Sequence, residues 1–127
     1  MALETILYIS DQTASSNSVL AALKSGGYEV VSTDRSKEAV ALLFVMHSVA
    51  AVVLDHRARE QTRTDLVRPL RALRPDVPII LLSGVQMDRL ASMVDACVSS
   101  GEPLEKLASA VQRLLTAKRF QVLSRQC

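Results

Sequence analysis

Three residues stand where apolar segments of the chain end: Asp11 directly after "TILYIS" (5–10), Asp55 closing "AAVVLD" (50–55), and Ser83 closing "VPIILLS" (77–83). A buried strand has no packing reason to end in an acid. Each residue taken alone reads as a strand meeting water; the three together read as a site. Two carboxylates and nearby backbone carbonyls offer hard oxygens of the kind Mg²⁺ takes in octahedral coordination. A cation there would offset the repulsion between Asp55 and an incoming phosphoryl donor, so that the carboxylate could act as a nucleophile. A hydroxyl at Ser83 could then hydrogen-bond a phosphoryl oxygen. The chemistry implied is formation of an aspartyl phosphate.

These residues need a scaffold that brings strand ends together. Besides the three segments above, "YEVVST" (28–33) is short, apolar and rich in β-branched residues, and "DACVSS" (95–100) is a candidate fifth strand. Runs of this length suit strands buried on both faces of a parallel sheet. Helical spacing separates them. Val19, Leu20 and Leu23 share a face and "SGG" (25–27) stops that helix; Ser36 can cap "KEAVALLFVMHS"; Leu66, Leu70 and Leu73 mark a third helix, with Pro69 in conflict. "MDRLASMV" (87–94) carries a weak fourth helical signal. In the last helix Pro103 takes the first position, Leu104, Leu107, Val111, Leu114 and Leu115 share a face, and Lys118 and Arg119 come near the end.

The alternation predicts an α/β fold: a doubly wound five-stranded parallel sheet with helices on both faces. In such sheets ligands bind beyond the carboxyl ends of the strands, where the strand order reverses. If the strand order is 2-1-3-4-5, Asp11, Asp55, Ser83, Ser99 and Ser100 all converge on that edge.

Composition narrows the function classes. A chain of 127 residues suits one domain, 1–127, with a core that needs no staple. No apolar run approaches the roughly 18 residues of a membrane span, and "MALETILYIS" lacks the flank and cleavage site of a signal peptide, so the expected location is cytoplasmic. Cys97 and Cys127 match no metal or CxxC spacing and are expected to be reduced thiols, with Cys97 a small buried hydrophobe. A net charge of +2 does not argue for nucleic acid, and the arginines at 57, 59, 63, 68, 71 and 74 fit a solvated loop and helix face.

The chain resembles the receiver domains of bacterial two-component response regulators, over almost its whole length. "ILYISD" is similar to the family's first strand and acidic pocket, "GYEVVSTDRSKEAV" to its second strand and helix, "AAVVLD" to its phosphoacceptor strand, and "LRALRPDVPIILLSG" to the approach to its switch hydroxyl. The last is the most specific match. The resemblance implies Asp55 as phosphoacceptor, Ser83 as switch hydroxyl, and Asp11, Asp55 and the Arg57 backbone carbonyl as ligands of Mg²⁺. It further implies a sensor histidine kinase or other phosphodonor as one partner. The other would be an effector protein, docked on the face formed by the fourth helix, fifth strand and last helix.

The sequence also departs from that pattern. Ser10 and a single acid, Asp11, stand where the family carries two acids, which weakens the metal site. Arg59 and Arg63 occupy the positions of a loop Pro and Gly. The strand-five Lys is missing: one register places Ser100 there with Cys97 at the aromatic switch position, and another places Glu102 there. That Lys would contact the phosphoryl group through a charge-assisted hydrogen bond. Whether Arg57 or Arg59 replaces it stays open. His56 follows Asp55 directly and so points to the opposite face of the strand.

The sequence therefore reads as a stand-alone receiver module, not an enzyme in its own right, whose chain ends at Cys127 soon after the last helix and carries no effector. The alternative is an atypical pseudo-receiver that no longer takes a phosphoryl group and binds its partner constitutively.

Overall fold

The computed structural model describes residues 4–10, 16–33, 36–55, 64–83, 94–99 and 103–125. Their elements follow in the order β1 (Thr5–Ile9), α1 (Ser16–Ser25), β2 (Glu29–Thr33), α2 (Ser36–Val45), β3 (Val49–Asp55), α3 (Thr64–Leu73), β4 (Ile79–Ser83), β5 (Ala96–Ser99) and α4 (Glu105–Arg125). The strands form one sheet in the order β2-β1-β3-β4-β5, with every neighbouring pair parallel. The expected α/β architecture is the one observed.

Burial explains why the central strands are apolar along most of their length. All five residues of β1 are buried, and β3 is buried at every position but Ala50. Alternate residues feed two cores. Leu7, Ile9, Val52, Leu54, Ile79 and Leu81 meet Ala39 and Leu43 of α2 and Val67 and Leu70 of α3. On the other face Ile6, Tyr8, Ala51, Val53, Ile80, Leu82 and Val98 meet Val19 and Leu23 of α1 and Leu107, Val111 and Leu115 of α4.

The face that Asp55 occupies depends on an irregularity in β3. Thr5 pairs with Val49 but Ile6 pairs with Ala51, so Ala50 is an extra residue, as in a β-bulge. Val49 thereby shares a core with Val52 and Leu54, which strict alternation would forbid. Beyond the bulge, Ala51, Val53 and Asp55 alternate on the face that also carries Tyr8.

Several boundaries differ from the sequence expectation. The second helix stops at Val45, with the Met46 amide donating to Leu42 O, so "MHS" forms the turn into β3. Only part of its apolar surface faces the sheet: Ala39 and Leu43 are buried, while Phe44 and Val45 are exposed. The third helix runs through Pro69, whose ring is exposed, so the proline is accommodated inside the helix at the cost of one backbone hydrogen bond. Pro103 lies two residues before α4 and its carbonyl accepts from Lys106 N, making the entry turn. That helix continues past Lys118 and Arg119 to Arg125. The expected helix at 87–94 falls outside the described residues except for Val94, which lies in a bend before β5.

Cys97 corrects another expectation. It is exposed and in no disulfide. Its register partner is Leu81, so it lies on the α2–α3 side of the sheet, but β5 is the edge strand and that helical layer leaves it uncovered.

Two local devices hold elements in place and yield predictions. After α1, Gly26 N donates to Ala22 O and Leu23 O, Gly27 N donates to Lys24 O, and Gly27 has φ 91°, a conformation that favours glycine. Nothing lies within 4 Å of a Cβ built at Gly27, so Gly27→Ala meets backbone strain without a clash. We expect a loss of about 1 kcal/mol, read as a lower urea midpoint at unchanged slope. The second device is Asp95, whose Oδ2 accepts from Ile79 N at 2.7 Å and from Arg71 Nη2 at 2.8 Å, while its amide donates to Ile79 O. It ties the start of β4 to the approach to β5 and to α3. Asp95→Ala should cost about 1–2 kcal/mol, mostly from the unpaired strand amide, because the ion pair is one-third exposed and screened. Asp95→Asn, which can still accept from Ile79 N, should lose less in the same titration.

Candidate functional site

The carboxyl ends of β1, β3 and β4 lie side by side. Ile9 pairs with Leu54, so the following Ser10 lies level with Asp55; Asp55 pairs with Leu82, so Ser83 lies one residue beyond. Ser83 in turn pairs with Ser99 of β5. The backbone therefore gathers Ser10, Asp55, Ser83 and Ser99 at one edge of the sheet. The side chains of Ser83 and Ser99 are outside what the structure describes, as are Asp11, His56, Arg57, Arg59, Arg63, Ser100 and Glu102 in full.

Asp55 is the acid whose surroundings are visible. It is 7% exposed, at the end of a strand otherwise filled with apolar side chains. Burying a carboxylate is costly unless it is hydrogen-bonded. The Tyr8 hydroxyl donates to Asp55 Oδ2. Strand geometry explains the contact. Tyr8 pairs with Val53, two residues before Asp55 and on the same face. Two residues span about 6.6 Å, a distance that a phenol leaning along the strand can bridge. The ring is 1% exposed and packs in the α1–α4 core, so its position is fixed by packing and its hydroxyl is aimed at the sheet edge.

Sequence reasoning placed Asp55 and overlooked Tyr8, which passed as one more residue of "TILYIS". The available signal was that a buried tyrosine needs a partner for its hydroxyl, and one acid stands two residues up the neighbouring strand. Ser10 is also buried, and its amide donates to Thr33 O at 3.0 Å, extending the β1–β2 ladder by one residue.

The donor chemistry fits a magnesium ion in kind, since Asp55 offers a carboxylate oxygen at the strand edge. Ser10 supplies a neutral hydroxyl where a second acid would add charge. Among the described residues no group of three or more His, Cys, Asp or Glu side chains is assembled that could hold a metal.

Comparison with solved structures defines the class: the fold is that of the response regulator receiver (CheY-like) domains. A receiver domain from Methanospirillum hungatei JF-1 superposes with a TM-score of 0.82 at 21% identity, over 94% of this chain and 99% of that one. The receiver domain of a sensor histidine kinase from Pseudomonas aeruginosa PAO1, with magnesium in its active site cleft, gives 0.78 at 24%, over 91% and 99%. In sequence, the cell cycle transcriptional regulator CtrA of Caulobacter vibrioides is 32% identical over 79 residues, 62% of this chain. The chain spans about a third of that relative's length, 34%. A family model described as the N-terminal domain of Orn/Lys/Arg decarboxylases matches residues 12–97. The chain belongs to that family, and the matched span includes Asp55 and Ser83 but not Tyr8, Ser10 or Asp11.

Proposed function

We propose that this domain is a receiver-type signalling module that accepts a phosphoryl group on Asp55. The observation that carries this reading is the position of Asp55: an acid at the carboxyl end of the central strand, between the ends of β1 and β4, in a receiver fold.

In the reaction an Asp55 carboxylate oxygen attacks the phosphorus of the donor, a P–O bond forms, and the bond to the donor's leaving group breaks with its electron pair. The product is a mixed anhydride on Asp55. Asp11, Asp55 and the Arg57 backbone carbonyl would hold Mg²⁺. When bound, the ion supplies positive charge against the repulsion between the carboxylate and the phosphoryl oxygens. Ser83 would hydrogen-bond a phosphoryl oxygen and so report the change. No cation stands at Ser100 or Glu102, so phosphorylation and its coupling to shape are expected to be weak. The donor would be a sensor histidine kinase or a small phosphodonor, and the effector would dock on the face formed by the expected fourth helix at 87–94, β5 and the last helix, α4.

A second reading, a pseudo-receiver that binds constitutively, is favoured by one observation: Asp55 is buried and its Oδ2 already accepts the Tyr8 hydroxyl. Membership of a family named for the N-terminal domain of decarboxylases supports it too, since a domain joined to an enzyme can serve as a docking unit.

Intact-protein mass after incubation with an acyl phosphate and Mg²⁺ separates the two. The first reading predicts one phosphoryl adduct, lost when the metal is omitted. No adduct at high donor and metal, together with unchanged partner binding by Asp55→Ala, would leave the second.

A further inference from the structure

The Tyr8 hydroxyl lies on the group proposed to react. We infer that Tyr8 is a positioning residue that holds the Asp55 carboxylate and restrains its reaction with electrophiles, phosphoryl donors included; the phosphoryl part rests on the reading of Asp55 as phosphoacceptor.

Asp55 is 7% exposed and presents two oxygens, one of which, Oδ2, accepts from Tyr8. A hydroxyl-to-carboxylate bond is charge-assisted and among the stronger kinds. It engages a lone pair that would otherwise attack, and it draws charge from the nucleophile. It also fixes the rotation of the carboxylate against the sheet edge. Phosphorylation through Oδ2 must weaken or displace this bond, and attack through the other oxygen must proceed from a carboxylate whose charge is partly shared with the phenol.

Tyr8 itself cannot readily withdraw. Its ring is 1% exposed, in the core that Val19, Leu23, Val111 and Leu115 build against the sheet. Its backbone is paired on both sides, with Ser32 of β2 and Val53 of β3. The hydroxyl is therefore a fixed feature of the site. Packing of the core does not require it: Ile6, Ala51, Val53, Ile80 and Leu82 fill the same face of the sheet with hydrocarbon alone.

The test is Tyr8→Phe, which keeps the ring and removes the donor. Two quantities are read in wild type and variant. One is the initial rate of phosphoryl adduct formation with an acyl phosphate and Mg²⁺. The other, without metal or phosphodonor, is labelling of Asp55 by a carbodiimide and an amine, mapped by peptide mass and normalised to the exposed Glu29, Glu38 and Glu105.

Both should rise in Tyr8→Phe, by roughly fivefold to tenfold. Val53→Ala, which loosens packing on the same face and leaves the hydroxyl, should stay near the wild-type labelling level. If Tyr8→Phe does not fold, Tyr8→Leu carries the same labelling test. Raised labelling with no adduct in either protein would uphold the restraint by Tyr8 and sink the phosphoacceptor reading. Unchanged or lower labelling, or a rise matched by Val53→Ala, would overturn the restraint. Raised labelling with equal phosphorylation rates would overturn its control of phosphoryl transfer.

Discussion

Phosphoryl incorporation should fall by at least about a hundredfold in Asp55→Asn, because the carboxamide keeps the shape of the side chain but is not a nucleophile toward phosphorus. The fold should survive the change. Asp55 is buried beside Tyr8, and the carboxamide oxygen can still accept the Tyr8 hydroxyl, so the buried phenol keeps its partner. A melting temperature within a few degrees of wild type, with the adduct gone from the intact mass, is the expected pair of results. Persistence of the adduct in this variant would move the chemistry to another residue. Loss of both adduct and fold would mean that Asp55 is chiefly a structural acid.

The largest stability effect should come from Leu81→Ala. Leu81 is 0% exposed on β4, packed in the α2–α3 core with Leu54 and Ile79. Truncation removes transfer free energy and leaves a cavity in a layer that cannot collapse without bending the sheet, at a cost of about 2–5 kcal/mol. That is a large part of the roughly 5–15 kcal/mol by which domains of this kind are stable. Phe44 is the contrast, since it is 66% exposed at the end of α2, and Phe44→Ala should stay within about 0.5 kcal/mol. Urea titration of both variants checks the difference. Equal losses would mean that burial in this fold does not order its stability.

How far the sequence could be read follows from what each signal measures. The buried parallel strands were legible because β1, β3 and β4 are apolar on both faces, a pattern that parallel sheets require. The end of β3 was legible because Asp55 interrupts that pattern. Its start was not, because the bulge at Ala50 brings Val49 into the strand through pairing with Thr5, a partner 44 positions away that composition cannot reveal. Helix ends slipped for a related reason. "KEAVALLFVMHS" has no breaker, and the stop after Val45 is imposed by the turn that must lead into β3. Pro103 was expected at the first position of the last helix and instead forms the turn before it, two residues ahead of Glu105.

The site was half legible for a different reason. Asp55 and the backbone of Ser83 came out at the expected edge because the rule about carboxyl ends depends only on topology. Tyr8 was missed because its role depends on a cross-strand register that sets its ring below one particular acid. Cys97 went wrong for the same class of reason. A small sulfur side chain suits a buried strand, but β5 is the edge of the sheet and its outer face is left uncovered there. Residue type told which groups could act, and register decided which ones meet.

The most direct test of the central claim is where a phosphoryl group goes. After reaction of the full chain with an acyl phosphate and Mg²⁺, proteolysis under cold acidic conditions and peptide mass mapping should place the adduct on the peptide containing Asp55, and hydroxylamine should remove it, as it removes an acyl phosphate. A hydroxylamine-stable phosphate on a serine, or no adduct on any peptide, would contradict the account.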